Sequence, residues 1–198
     1  MSAAPLPKWT SEYGYAGLRM TAAGYLALGE TPERYELVNG VVCMSPAPTL
    51  RHQLFFGEIV FQMATIVRAN PGFRYFPDSS VQFSADTVYE PDLSCYRPGR
   101  IPPMPSRLTE APDLVIEILS PGSRAFDLAA KKDDYERFGV VEYWAIDPAD
   151  ARVRCYRRGG DQLIESASPA AIDRTLPSTG LPGFVLNMAP LRALAQMQ

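Results

Sequence analysis

Between residues 112 and 120 the chain runs Pro-Asp-Leu-Val-Ile-Glu-Ile-Leu-Ser, an apolar stretch with one acid, Glu117, in its middle. A run of that length without polar alternation predicts a strand covered on both faces. Elsewhere apolar positions alternate or recur at helical spacing. Residues 22–28 predict a short helix capped by Thr21 and ended by Gly29. Residues 34–44 predict a hairpin about Asn39-Gly40, because both turn positions take positive φ. On its first strand Glu36 shares a face with Val38. Residues 50–69 predict a long amphipathic helix, with Leu54, Gly57 or Glu58, Phe61 and Thr65 as the recurring positions and Asn70-Pro71-Gly72 as its stop.

Residues 73–83 and 87–96 read as two strands around Ser84-Ala85-Asp86, and 97–110 as an exposed loop carrying Arg97, Arg100 and Arg107. After the apolar strand come a helix over 125–138 closed by Gly139, a strand over 142–146 and a hairpin partner over 152–157. Weak strands near 162–166 and 183–186 and a terminal helix over 188–197 complete the order. Residues 1–19 hold no sustained period and read as an N-terminal extension to a domain spanning 20–198. The fold class expected is α/β or α+β, a mixed central sheet flanked by helices.

Composition narrows the functions. A chain of 198 residues, 46% apolar and 21% charged, has the length and core of one globular domain. Its net charge of −3 argues against nonspecific coating of nucleic acid, which calls for a basic excess, but leaves room for an enzyme with a local basic patch. Cys43, Cys95 and Cys155 are odd in number and form no CxxC pair, against a disulfide scaffold or a zinc site and in keeping with a reducing cytoplasm. No apolar stretch approaches the roughly 20 residues of a membrane span, and the N-terminus lacks the pattern of a signal peptide. The location expected is cytoplasmic, without a membrane partner.

Candidate chemistry begins at Glu117, since an ionised acid inside an apolar strand is costly unless paired or metal-bound. On a wheel of about 3.6 residues per turn, Lys131 falls inside the apolar stripe of the helix that follows, with Leu128 and Tyr135 beside it. A lysine there commonly packs its stem and sends its amine to water. Asp92, after Pro91, and Glu36, on the hairpin, are weaker candidates; their ordinary readings are a turn dipeptide and an edge-strand charge. Together the three acids and the lysine suit phosphodiester hydrolysis. Carboxylates from several strands hold Mg²⁺, the ion activates water, and the lysine orients or deprotonates that water or offsets phosphate charge.

At this point the chain resembles the Uma-two family of restriction endonucleases, within the PD-(D/E)xK nuclease superfamily. The matching pieces are Tyr35 to Gly40 with Ser45-Pro46 and His52, Glu90-Pro91-Asp92-Leu93, the stretch 112–121, Asp127 with Lys131 and Tyr135, and the stretch 139–148. The resemblance implies a restriction-endonuclease-like core acting on DNA with Mg²⁺, for which Mn²⁺ substitutes. It makes Asp92 and Glu117 the motif acids and metal ligands, Glu36 an additional acid and co-ligand, and Ile118 a donor of its backbone carbonyl to the metal. The superfamily's usual lysine position, two after the acid, holds Leu119 here, and the family's lysine on the following helix corresponds to Lys131. It also implies a homodimer, since many enzymes of the superfamily act as dimers to cut both strands.

Accessory candidates are His52, which matches a family histidine, and Arg124 and Lys132, which are able to contact phosphates. A lone histidine is more often structural. Tyr135 reads as core packing with its hydroxyl satisfied locally, and Arg152, Arg154, Arg157 and Arg158 read as a solvated face. Two alternatives stand beside a nuclease: a noncatalytic nucleic-acid- or partner-binding module on the same scaffold, and a structural oligomer with hydrogen-bonded buried carboxylates.

Overall fold

The computed structural model describes residues 14–29, 31–166 and 174–197, so most of the expected N-terminal extension, residues 1–13, lies outside the described residues. Thr21 accepts a hydrogen bond from the Gly24 N–H and caps α1, Ala22–Leu26. The hairpin forms as β1, Tyr35–Val38, and β2, Val41–Met44, with Asn39 and Gly40 at φ 48° and 78°. Thr49 caps α2, Leu50–Ala69. Four short strands follow: β3, Arg74–Pro77; β4, Val81–Gln82; β5, Val88–Tyr89; and β6, Leu93–Tyr96. The apolar run becomes β7, Leu114–Ile118, buried throughout. A composite helix comes next: α3, Arg124–Phe126, a π-helical turn, Asp127–Lys131, and α4, Lys132–Arg137. The chain closes with β8, Glu142–Asp147; β9, Arg152–Gly159; β10, Gln162–Glu165; β11, Thr175–Pro177; β12, Val185–Asn187; and α5, Met188–Gln196.

The central sheet is mixed and has the order β10-β9-β8-β7-β6-β3. β7 and β8 run parallel with Glu117 opposite Ala145, while its other pairs are antiparallel. Alternation along β7 sends Leu114, Ile116 and Ile118 to one face, where they pack with Phe55, Ile59 and Met63 of α2. Val115 and Leu119 go to the other face with Tyr135 and Tyr143. Glu117 shares that second face. A four-stranded sheet, β2-β1-β5-β4, carries the hairpin, and β11 pairs with β12.

Two sequence expectations change. The recurring positions chosen for α2 are on its open side: Leu54 and Phe61 are exposed, while His52, Phe55, Ile59 and Met63 are buried. The helix is apolar around most of its circumference, with Phe56, Val60, Ile66 and Val67 also packed on the core, so its period fits either face. The two long strands expected over 73–83 and 87–96 are each broken and divided between sheets. Asp78, at φ 42° in the left-handed region, ends β3. Pro91, which has no N–H for a ladder, separates β5 from β6.

At the far end of the sheet the carboxylate of Asp113 accepts bonds from the Arg97 backbone and guanidinium. Arg157 pairs with Glu142, and Arg158 donates to the carbonyls of Val140 and Glu136, so these two arginines are structural and not a solvated face. Glu142 is fully buried and accepts bonds from Ser178 Oγ and the N–H groups of Thr179 and Gly180, tying the C-terminal segment to the sheet.

Candidate active site

Antiparallel pairing of Leu93 with Ile116 sets Asp92, just before β6, against the end of β7. The Asp92 Oδ2 accepts the Ile118 N–H at 2.7 Å and lies 3.2 Å from His52 Nε2, on the first turn of α2. The Asp92 N–H points at Glu117 Oε2, 3.4 Å away. On its other side Glu117 meets the composite helix: Oε1 accepts the Tyr135 hydroxyl at 2.6 Å and the Lys131 ammonium at 3.0 Å.

The Lys131 ammonium turns inward to carboxylates. Its Nζ lies 2.9 Å from Glu36 Oε1 and 3.6 Å from Asp127 Oδ1, and the residue is 5% exposed. The snorkelling alternative therefore fails. The π turn that runs from Asp127 to Lys131 widens the helix at this point, and such bulges concentrate at functional sites. The hairpin delivers Glu36, whose Oε1 also accepts the Glu90 N–H at 3.0 Å.

Three buried carboxyls, Glu36, Glu117 and Asp127, thus surround one buried ammonium, and a fourth, Asp92, lies beside Glu117. Burial first, then the neighbouring acids, push Glu117 up to about 8 against the pull of Lys131. Burial likewise raises Asp127. Burial opposes the charge on Lys131, yet Glu117, Glu36 and Asp127 together hold it well above its ordinary value. Burial leads for the two acids, and for the lysine the neighbouring carboxylates together outweigh it. A divalent cation fits such a donor set. Among the described residues no three His, Cys, Asp or Glu side chains form a ready-made cage. Mg²⁺ does not require one, since it commonly binds through one or two carboxylates and keeps several waters.

The cluster opens into a cavity of about 240 Å³, lined also by Ile118, Arg34, Ser120 and Ser123. Among the described residues the buried His52 Nδ1 has no hydrogen-bond partner, and Nε2 faces Asp92. Lys132 lies outside this cavity and pairs with Glu136 and Asp133. Arg124 also lies outside, on Asp147. Sequence reasoning passed over Arg34, Glu90 and the participation of Asp127, and assigned the Tyr135 hydroxyl to a local bond that is in fact made to Glu117. The four-residue spacing of Asp127, Lys131 and Tyr135 was the available signal; Arg34 had none.

The Uma2 family model, "Putative restriction endonuclease", matches residues 22–189. The crystal structure of "a putative nuclease belonging to DUF820" from Anabaena variabilis superposes with a TM-score of 0.72 at 25% identity, covering 89% of this chain and 99% of that one. Among curated proteins none matches.

Proposed function

The chain belongs to the Uma2 restriction endonuclease family, and we propose that it is a metal-dependent endonuclease hydrolysing phosphodiester bonds in DNA, with Asp92, Glu117 and Lys131 as its catalytic set. The observation that carries this reading is the meeting of those three side chains at one cavity, with Lys131 Nζ 3.0 Å from Glu117 and Glu117 Oε2 facing the Asp92 backbone. Mg²⁺, or Mn²⁺ in its place, would be held by Asp92 and Glu117 with the Ile118 carbonyl. Bound there, the ion would supply positive charge, lower the pKa of water and offset charge on the phosphate.

The chain's own groups divide the remaining work. Lys131, whose carboxylates favour its protonated form, donates hydrogen bonds and offsets charge on the phosphate. Glu36 and Asp127 keep its ammonium aimed at Glu117. The Tyr135 hydroxyl orients Glu117, and His52 with the Ile118 N–H orients Asp92. Such outer partners fix the geometry of metal ligands. A homodimer belongs to the same reading: Leu50, Leu54 and Phe61 stand 87%, 49% and 68% exposed on α2, an apolar strip that a second copy would cover.

The test is cleavage of plasmid and short duplex DNA in Mg²⁺, Mn²⁺ or EDTA by the wild type and by Glu117→Gln. Cleavage in either metal, absent in EDTA and reduced by roughly a thousandfold or more in the variant, is expected. The variant should keep the wild-type thermal midpoint. Cleavage retained by Glu117→Gln sinks the assignment, and DNA binding without cleavage in any metal points to a noncatalytic module.

A further inference from the structure

Arg34 stands where two cavities meet. The carboxylate cavity shares Arg34 and Glu90 with a neighbouring cavity of about 580 Å³, lined also by Leu28, Thr31, Glu33 and Ser80. Arg34 and Glu90 therefore form part of the wall between the carboxylates and the larger space. Two side chains on the wall of the first cavity, Lys131 and Arg34, carry a permanent positive charge. Lys131 is enclosed by three carboxylates.

Arg34 is differently placed. Its side chain is 31% exposed, and its two ion pairs leave much of the guanidinium fork open: Nη2 lies 2.9 Å from Asp78 Oδ1, and Nε only reaches 3.9 Å from Glu90 Oε2. Asp78 is set to hold it. Its backbone adopts φ 42°, in a region that L-residues seldom enter, and its N–H bonds to the Asp92 carbonyl at 3.2 Å. The arginine is thereby tied to the strand that presents the motif acid.

We propose that Arg34 binds a backbone phosphate of the substrate at the edge of the carboxylate site. The assignment rests on the nuclease reading. A planar guanidinium fork matches two phosphate oxygens, and an arginine keeps its charge at any working pH.

The experiment measures binding and Mg²⁺-dependent cleavage of a short fluorescein-labelled oligodeoxynucleotide by the wild type, Arg34→Ala and Arg34→Lys across a salt series. Arg34→Ala should weaken binding about tenfold, lower the slope of log K against log salt by about one, and raise KM with kcat nearly unchanged. Arg34→Lys should restore the slope but not the full affinity. A wild type that binds and cuts, beside an Arg34→Ala that keeps its salt slope and KM, overturns this assignment alone. A lowered thermal midpoint with an unchanged slope also overturns it, since the arginine is then merely structural. A wild type that neither binds nor cuts overturns the nuclease reading with it.

Discussion

The Lys131 ammonium lies 3.0 Å from Glu117 Oε1 across 14 positions of sequence. Leu119, two residues after Glu117, is buried with Tyr135, Tyr143 and Val115. The lysine thus reaches the acid from the π turn, and the two side chains meet on the wall of the carboxylate cavity.

Lys131→Met follows from that relationship. It leaves Glu36, Glu117 and Asp127 buried without their cation, an uncompensated charge worth about 3–5 kcal/mol of stability. Urea unfolding at neutral pH should show a loss of that order, and cleavage should disappear. Wild-type stability would mean that the pairing contributes nothing.

Glu117 also sets a pH dependence. Its acid is raised from 4.5 in the free group to about 8 in the fold. Between those values the folded chain keeps a proton that the unfolded chain has released, so this contribution to metal-free stability is full below about 4.5 and is lost as pH rises through about 8. A metal ion competes with the same proton. Mg²⁺ affinity by calorimetric titration should therefore climb with pH and level off above about 8; a flat profile removes Glu117 from the ligands.

Glu142 holds the C-terminal segment and not the site. Its buried carboxylate meets Ser178 Oγ at 2.5 Å, the Thr179 and Gly180 N–H groups at 2.9 Å and Arg157 Nε at 3.0 Å. Glu142→Ala should cost about 3–5 kcal/mol by unpairing Arg157 and two backbone donors. Hydrogen exchange should accelerate in β11, β12 and α5. Protection unchanged there would show that the packing of Leu181, Phe184 and Leu186 suffices by itself.

The exposed strip on α2 gives a fourth expectation. If a second copy covers Leu54 and Phe61, light scattering should return twice the chain mass for the wild type, and one chain mass for Leu54→Asp/Phe61→Asp. A wild type that stays single at assay concentration ends the dimer reading.

Local rules carried much of the fold. Asn39-Gly40 made the hairpin because few other pairs accept positive φ twice, and Thr49 with Asn70-Pro71-Gly72 bounded α2. Glu117 was conspicuous because an acid in a doubly covered strand needs a partner, and helical spacing turned Lys131 toward the same core. These signals depend only on neighbours in sequence. The buried face of α2 did not: a helix apolar on most sides takes its orientation from what the sheet offers. The division of residues 73–96 between two sheets turned on Asp78 and Pro91, whose effects depend on which strand edges lie near. The bond from Tyr135 to Glu117, the closure of Glu36 onto Lys131 and the place of Arg34 between two cavities arose only when distant elements packed. An acid or an arginine has the same local preferences at a surface as at a site, and only the tertiary structure decides which charges share a cavity.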